Sequence, residues 1–314
     1  MIVTLAMSAS LDVTYEVDEL NVGDITRPFG VTRVAGGKAL NVARAASALG
    51  AEVRAIAALG GPTGEWVASM LATDGVPATV VPLRRVTRTC LAVVERAESA
   101  TSTDLYEPAT AFDGDEWDAY AAAVRSLVSE AAGGHPMPWV GLSGSVPPGV
   151  PLADLAGLLV HLRTQGARVV VDGSGEGLRA TAQAAELIKV NRREASELLG
   201  VPLDTARDAC AALRERYGCD AVVTDGVAGS AALIGDVEAA APAATRRGRF
   251  PAGSGDAFLG GLLAAFSRGE SAAQALAAAS SAGERNALVP GQGRLGDVHD
   301  FLRVDAGGSP AGIG

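Results

Sequence analysis

The chain contains 314 residues, of which 48% are hydrophobic, 20% are charged and only 4% are aromatic. A chain of this length can bury a large core without disulfides. Its 39 glycines follow no collagen repeat, which excludes collagen, and its hydrophobic content excludes wholesale disorder. Its formal charge of −10 opposes non-specific binding to nucleic acid or anionic lipid. Any phosphate ligand must therefore meet a local cationic site.

The cysteines and the apolar segments predict the compartment. Cys90, Cys210 and Cys219 are odd in number and have no CxxC or zinc spacing, which favours reduced, buried thiols. The first seven residues lack the basic start of a signal peptide, and no segment supplies the roughly 20 apolar residues of a membrane helix. We expect a soluble, cytoplasmic protein with no nucleic-acid partner and no membrane partner.

Two kinds of sequence pattern alternate along the chain. After a buried first strand within residues 1–7, short β-branched stretches at 12–34 and 89–107 read as half-exposed antiparallel strands. Because an α/β pattern of more than 50 residues separates them, they predict a small sheet that stands off the main domain as a lid.

The second half of the chain has the pattern of a parallel sheet. A helix begins near Asp113 or Asp115, and amphipathic helices then alternate with apolar strands at 139–142, 168–172, 187–190 and 221–224. The pattern predicts a mostly parallel sheet with helices on both faces. The expected domains are an α/β core (1–11, 36–88 and 109–303), a β-sheet lid (12–35 and 89–108) and a flexible tail (304–314).

A glycine turn, Gly36-Gly37, leads into an amphipathic helix that begins with Lys38 and carries Asn41. Bare backbone, a cation and an amide at a helix start favour an anionic or polar ligand. The segment is not a P-loop, and GxGxxG is also absent. The alternative is an ordinary helix start with a solvated lysine.

A second glycine turn contains Gly253, Ser254 and Gly255 and is followed by Asp256 in the first turn of a helix. The carboxylate can simply complement the helix dipole. An anion-binding turn beside a carboxylate is also the pair that holds a transferring phosphoryl group and accepts a hydroxyl proton. Both interpretations stay open on spacing alone.

A third cluster follows the predicted strand at 187–190. Asn191 and Glu194 have the spacing of a capping box, which is a complete structural explanation. A glutamate near a phosphate site can also orient Mg²⁺ through water, because Mg²⁺ keeps several waters when bound to protein.

Together these motifs resemble a known family. Residues 36–44 resemble the GGKGxNVAR signature, and residues 253–256 the GAGD signature, of the PfkB-type carbohydrate kinases of the ribokinase-like superfamily. Residues 142–149, 191–194 and 222–226 match further motifs in the family's order, so the resemblance covers about residues 1–303. It looks most like the 1-phosphofructokinase and tagatose-6-phosphate kinase branch, and implies a ribokinase-like three-layer α/β/α fold with a small β-sheet lid.

The resemblance implies ATP-dependent transfer of the γ-phosphoryl group to a hydroxyl of a small sugar phosphate, of the fructose 1-phosphate, tagatose 6-phosphate or fructose 6-phosphate type. Asp256 would be the base, and the backbone N–H groups of Gly253, Ser254 and Gly255 would bind the γ-phosphoryl charge. Glu194 would bind Mg²⁺ through water, and the nucleotide would be bound by Asn191, Thr224, Gly226, Gly283 and Asn286. The acceptor would be bound by Asp12, Gly37, Lys38 and Asn41, and its phosphate by Lys38, Arg88 and Arg27.

Several residues depart from the family pattern on the sugar side. Ala39 stands where the family usually has glycine, and Cys90 and Tyr106 stand where the family has asparagine. A methyl group at Ala39 is expected to narrow the approach to the ligand, and Cys90 cannot replace the hydrogen bonds of an amide. Residues 250–252 also differ from the usual pattern, which argues against a monovalent-cation site of the ribokinase kind.

Three alternatives stay open at this point. Arg27 and Arg88 can be solvated lid charges, in which case the acceptor is an unphosphorylated sugar or a nucleoside. A chain with an altered acceptor site can also be a non-catalytic sensor of sugar or nucleotide. A homodimer formed through the lid sheets is a further expectation, since it would cover exposed strand edges.

Overall fold

The computed structural model describes residues 1–96, 102–132, 137–242 and 248–296, and the predicted tail at 304–314 lies outside these ranges. Its larger sheet has nine strands in the order β13-β12-β11-β10-β9-β8-β1-β4-β5. The strands are β1 (Ile2–Ala6), β4 (Val53–Leu59), β5 (Ala78–Pro82), β8 (Trp139–Ser143), β9 (Arg168–Asp172), β10 (Leu187–Asn191), β11 (Asp220–Thr224), β12 (Ser230–Ile234) and β13 (Val237–Ala241). In this sheet order, each pair of neighbouring strands between β11 and β5 is parallel. At the other edge, β12 is antiparallel to β11 and β13 is antiparallel to β12.

Helices cover both faces of this sheet. They are α1 (Lys38–Ala48), α2 (Gly61–Thr73), α3 (Gly114–Ala132), α4 (Leu152–Thr164), α5 (Gly175–Thr181), α6 (Arg192–Leu199), α7 (Ala206–Tyr217), α8 (Ser254–Ser267) and α9 (Ala272–Ala287). Strand side chains alternate between two cores, so that Leu5 packs with α3, α4 and α7 while Ile2 packs with α1, α2, α8 and α9. The predicted three-layer α/β/α architecture is confirmed.

A separate four-stranded sheet forms the lid, in the order β3-β2-β6-β7. Its strands are β2 (Ser10–Val17), β3 (Gly30–Gly36), β6 (Arg88–Glu95) and β7 (Ser102–Tyr106). The outer pairs are antiparallel as expected, but the central pair β2 and β6 is parallel. The reason is that β2 follows β1 and β6 follows β5, so both enter the lid from strands that run in the same direction in the main sheet.

The register of the lid brings the unusual residues of the sugar side together. Asp12 pairs with Cys90, and Cys90 pairs with Tyr106, so the three lie in one row across the sheet. Within the described ranges, no helix has both the length and the apolar character needed to cross a membrane.

Candidate active site

The carboxyl ends of four parallel strands meet below the lid. Ser143 and Asp172 are register partners at the ends of β8 and β9, as are Asn191 and Thr224 at the ends of β10 and β11. Ligands of open α/β sheets bind at this edge. Between the edge and the lid lies a cavity of about 410 Å³.

The cavity is lined by eight of the residues that the sequence predicted as site residues: Asp12, Gly37, Lys38, Asn41, Arg88, Gly253, Gly255 and Asp256. It is also lined by residues that were not predicted as ligand contacts: Ser8, Ser10, Cys90, Tyr106, Ser143, Gly144, Ser145, Ser174 and Gln292. Segments that follow β1, β8, β9 and α9, together with lid strands and the starts of α1 and α8, are thus brought to one place.

Asp256 lies in the first turn of α8 with only 7% of its surface exposed. Asn41 Nδ2 donates a hydrogen bond of 2.8 Å to its Oδ2, and no bond to Oδ1 is found in the described parts of the chain. Burial raises the pKa of Asp256 to about 7, although Lys38 and the Asn41 hydrogen bond act to lower it. A carboxyl group that titrates near neutral pH with one oxygen unbonded has the properties of a general base.

The predicted glycine turn before α8 is present, and Gly253 in it has a left-handed conformation with φ 83°. The Ser254 N–H donates to the Pro251 carbonyl at 3.2 Å, which differs from the expectation that this N–H faces a phosphoryl group. The Gly255 N–H makes no hydrogen bond to any described residue and stays available to an anion. A Cβ atom at Gly253 would lie 2.8 Å from the Cβ of Gln292, so the turn has no room for a side chain.

A buried ion pair that the sequence motifs did not reveal lies beneath this turn. Lys189 Nζ is 3.2 Å from Asp172 Oδ1 and donates to the Gly255 carbonyl at 3.1 Å. Ser143 Oγ donates to Asp172 Oδ2 at 2.7 Å. Burial opposes ionisation of Asp172, but Lys189, Lys38 and Ser143 outweigh it and lower its pKa. Lys189 and Asp172 lie at the ends of predicted strands, and this position is the only signal in the sequence that could have identified the pair.

Lys38 begins α1 and carries its charge toward the same carboxylates. Asp172 above all, and then Asp256, raise its pKa against the effect of burial. The two glycines before it are required by close contacts, because a Cβ at Gly36 would lie 2.0 Å from Asp12 Cγ and one at Gly37 would lie 2.6 Å from the Ser8 carbonyl oxygen. The lysine is therefore presented to the cavity by a turn that only glycine can form.

Ala39 does not have the effect that the sequence suggested. Its side chain is 3% exposed and packs in the core beneath α1, and it does not line the cavity. The expectation that its methyl group narrows the approach to the ligand is therefore not met, because this side chain packs in the core and does not face the cavity.

At the lid end of the cavity, Asp12 is buried and accepts a hydrogen bond of 2.5 Å from Ser10 Oγ. Burial raises its pKa. Arg88 donates to the carbonyl oxygens of Glu107 at 3.1 Å and Ser8 at 3.3 Å, which holds the guanidinium at the cavity wall. This end thus offers a cation, a carboxyl group and a hydroxyl.

Arg27 does not join this group. It is exposed in the loop between β2 and β3 and does not line the cavity. The prediction that it meets the acceptor's phosphate therefore differs from the geometry of this chain, because Arg27 is exposed to solvent and does not reach the cavity wall. The position of Arg27 fits the alternative interpretation, in which it is a solvated charge on the lid.

The residues predicted on the nucleotide side have mixed surroundings. Asn191 and Glu194 form a complete capping box, in which each side chain accepts a 2.8 Å hydrogen bond from the other's backbone N–H. Gly226 has φ 52° and begins a short 3₁₀ helix after β11, close to Thr224. Gly283 lies against the anion-binding turn, because a Cβ there would lie 3.1 Å from the Ser254 carbonyl oxygen.

Asn286 is 1% exposed, and all its amide groups have partners within the protein. Its Nδ2 donates to the Ala252 carbonyl at 2.9 Å and to Ser254 Oγ at 3.2 Å, and its Oδ1 accepts from the Gly293 N–H at 2.7 Å. Asn286 thereby ties α9 to the turn before α8, and its predicted contact with the nucleotide stays a prediction.

The donor set fits a magnesium nucleotide better than a resident metal. Within the described ranges, no group of three metal-ligating side chains is found. One Glu194 oxygen accepts from the Asn191 N–H, while both Asp172 oxygens are bonded to Ser143 and Lys189. Glu194 still contributes to the raised pKa of Lys38, so its charge acts on a residue of the cavity. One carboxylate beside an anion-binding turn suits Mg²⁺ that is held mainly by phosphates and water.

A lid over a mostly parallel sheet, an anion-binding turn and a buried carboxyl group together define an α/β enzyme of the phosphoryl-transfer class. The model of the pfkB family carbohydrate kinases matches residues 3–294. The chain therefore belongs to the pfkB family of carbohydrate kinases and is a phosphotransferase, as the motifs predicted.

Solved structures agree with this membership. Phosphofructokinase-2 from Escherichia coli in complex with fructose-6-phosphate has a TM-score of 0.82 and 28% identity, over 97% of this chain and 98% of that chain. The same enzyme in complex with substrates and products has a TM-score of 0.83 at the same identity and coverage. A possible 1-phosphofructokinase from Thermotoga maritima has a TM-score of 0.80 and 20% identity over 96% of each chain, which shows the shared fold.

Proposed function

We propose that this carbohydrate kinase transfers the γ-phosphoryl group of ATP to a hydroxyl of a small sugar phosphate. The observation that carries the proposal is the position of Asp256, buried at the start of α8 with one oxygen unbonded and facing a cavity of about 410 Å³. Fructose 1-phosphate, tagatose 6-phosphate and fructose 6-phosphate are the leading acceptors, and the last is bound by the Escherichia coli neighbour.

In this proposal Asp256 accepts the proton of the attacking hydroxyl while the oxygen of that hydroxyl attacks the γ-phosphorus. The bond between the γ-phosphorus and the β,γ-bridging oxygen of ATP breaks, and ADP leaves with that oxygen. The Gly255 N–H and the ammonium group of Lys189 compensate the charge of the phosphoryl group as it moves. Closure of the lid strands over the cavity would exclude water, which otherwise competes with the sugar as acceptor.

ATP and Mg²⁺ are part of the same proposal. The nucleotide would lie along the carboxyl ends of β10 and β11, near Thr224, Gly226 and Gly283. Glu194 would orient Mg²⁺ through water with the oxygen that the capping box leaves unused. When bound, Mg²⁺ supplies positive charge to the phosphates, and the residues of this chain orient the two substrates.

The phosphate of the acceptor would bind at the lid end of the cavity. Arg88 lines that end and is held by two carbonyl oxygens, and Lys38, at the start of α1, lines the same cavity. Two cations suit a phosphate dianion, and a local cluster is needed in a chain of charge −10.

One observation favours a second candidate, a kinase of an unphosphorylated sugar or nucleoside. Arg27 is exposed and contributes no charge to the cavity, and Cys90 and Tyr106 line the acceptor end in place of amides. A non-catalytic sensor is the third candidate, and the intact Asp256 site argues against it.

We further propose a homodimer formed through the lid sheets and a cytoplasmic location. Support for the dimer comes from apolar side chains on the lid, with Ile25 73% and Leu105 57% exposed. Support for a reducing compartment comes from the three cysteines, which are all buried and free.

The decisive experiment measures ADP release with a panel of phosphorylated and unphosphorylated acceptors for the wild type and for Asp256→Asn. Loss of the base should lower kcat at least about 100-fold while ATP binding is retained. Asp154→Asn is the matched control, since Asp154 also lies in the first turn of a helix but outside the cavity. Retained turnover in Asp256→Asn would remove Asp256 as the base, and turnover of unphosphorylated acceptors alone would favour the second candidate.

A further inference from the structure

Buried polar atoms without a hydrogen-bond partner are concentrated in one place. Six such side-chain atoms occur among the described residues, and three of them belong to residues that line the active-site cavity: Ser8 Oγ, Arg88 Nε and Gln292 Oε1. Buried polar atoms in native proteins are almost always paired, and an unpaired one costs about 1–3 kcal/mol. The clustering of unpaired atoms around the cavity indicates that a polar ligand supplies the missing hydrogen-bond partners.

Gln292 is the residue of the three to which the sequence motifs assigned no role. It follows α9 and is 5% exposed. Its carbonyl oxygen accepts a hydrogen bond of 2.8 Å from Arg44 Nη1, and the N–H of the next residue, Gly293, donates to Asn286 Oδ1 at 2.7 Å. The backbone on both sides of the side chain is therefore held by buried groups, which fixes where the amide can reach.

The same contacts place Gln292 at the phosphoryl-transfer end of the cavity. Its Cβ packs against Gly253, where an added Cβ would approach to 2.8 Å, and it lines the cavity together with Gly255 and Asp256. Arg88 Nη2 donates a hydrogen bond of 3.3 Å to the Ser8 carbonyl oxygen in another part of the cavity lining. The unpaired atoms of Ser8, Arg88 and Gln292 thus all belong to the lining of one ligand site.

We propose that Gln292 is an acceptor-binding residue, whose side-chain amide hydrogen-bonds a hydroxyl of the sugar at the end where phosphoryl transfer occurs. The inference rests on the proposed function and assigns a contact within it. A glutamine amide both donates and accepts, and so does a sugar hydroxyl, so the pairing is chemically matched. Rotation about the last side-chain torsion, which has broad wells, turns the amide oxygen toward the ligand.

This role predicts an unusual combination of effects for Gln292→Leu, which keeps the approximate volume and removes the polar atoms. The kcat/KM for the best acceptor among fructose 6-phosphate, fructose 1-phosphate and tagatose 6-phosphate should fall about 10- to 100-fold, while the KM for ATP stays unchanged. The Tm without ligands should stay the same or rise, because the substitution removes an unpaired buried oxygen.

Thr4→Val is the matched control. Thr4 Oγ1 is also buried without a partner, but Thr4 lies in β1 and does not line the cavity. This variant should leave the kinetic constants unchanged, with a Tm that stays the same or rises. The pair separates the removal of an unpaired atom from the loss of a ligand contact.

Three outcomes would overturn the inference. Unchanged kcat/KM in Gln292→Leu would show that no acceptor contact is made, and a rise in the KM for ATP alone would move the contact to the nucleotide. A fall in Tm that accompanies the kinetic loss would indicate a structural role. Failure of the wild type to phosphorylate any acceptor contradicts the proposed function itself, and is distinguished by the wild-type assay.

Discussion

Asp256 is surrounded by groups with opposite effects on its pKa. Burial and the nearby Asp172 favour the protonated acid, whereas Lys38, Lys189 and the Asn41 amide favour the carboxylate. The orientation of that amide is set by Arg44, whose Nη1 lies 3.4 Å from Asn41 Oδ1. Because arginine can only donate, the amide oxygen must face it, and the amide NH₂ must face Asp256. The Oδ1 of Asp256 is thereby left unbonded, as the proposed mechanism requires.

This arrangement predicts a pH dependence with a definite sign. Asp256, with a pKa of about 7, is protonated and inactive as a base below that pH, so kcat/KM should rise as the pH increases through 7. Asn41→Ala removes a hydrogen bond that favours the carboxylate of Asp256. The rising limb of the pH profile of kcat/KM should therefore move to a pH about one unit higher. The pH profile of kcat/KM measures the shift, and Asn21→Ala, on the exposed loop of the lid, is the control. A limb at unchanged pH would contradict the positioning role of Asn41.

At the scale of elements, the site depends on how helices begin. α1 and α8 both start after a glycine with positive φ, at Gly37 and Gly253, and the two helices pack against each other through Gly260. A Cβ at Gly260 would lie 2.9 Å from the Val42 carbonyl oxygen, so the close approach of the helices requires glycine. This packing brings Asn41 and Asp256 within hydrogen-bonding distance, although 215 residues of sequence separate them.

Gly253→Ala tests the turn before α8. The substitution forces a left-handed conformation on alanine, at a cost of about 1–2 kcal/mol, and also places its Cβ against Gln292. Both kcat and Tm should fall. Gly269→Ala is the matched control, because Gly269 has φ 77° at the end of α8 but no atom within 4 Å of an added Cβ. It should lower Tm alone, and an equal loss of kcat in both variants would show that the turn is not special.

At the scale of the whole molecule, the lid sheet leaves both its edge strands, β3 and β7, without a partner strand among the described residues. Apolar side chains lie beside these edges, including Val22 and Ile25 in the β2–β3 loop, which are 95% and 73% exposed. Exposed edges and apolar loops are features that a second copy of the chain would cover.

Ile25→Asp should therefore shift the protein from dimer to monomer, as measured by light scattering coupled to size-exclusion chromatography. A buried charge without a partner is costly at an apolar interface, whereas it costs little on a free surface. Val160→Asp is the control, since Val160 is 50% exposed on α4 of the main domain. A wild type that is monomeric at assay concentrations would reject the lid-mediated dimer.

The local elements were predictable because their signals are local. The strands at 139–142 and 168–172, the helix start at Lys38 and the turn at Gly253 follow from apolar periodicity and glycine placement, and the structure contains them within one or two residues. The capping box of Asn191 and Glu194 was likewise readable from a spacing of three residues. The family was also accessible, since its motifs are short and fall in order along the chain.

The features that only the tertiary structure decided arise from contacts between segments that are far apart in the sequence. The sequence alone determined the α/β architecture, the lid, the two glycine turns and Asp256 as the candidate base. Four features emerged only from the fold: the parallel pairing of β2 with β6, the absence of Arg27 from the cavity lining, the ion pair of Lys189 with Asp172 and the position of Gln292 in the cavity lining. The physical reason is that burial, pKa and hydrogen-bond pairing are properties of an environment, which residues far apart in the chain create together.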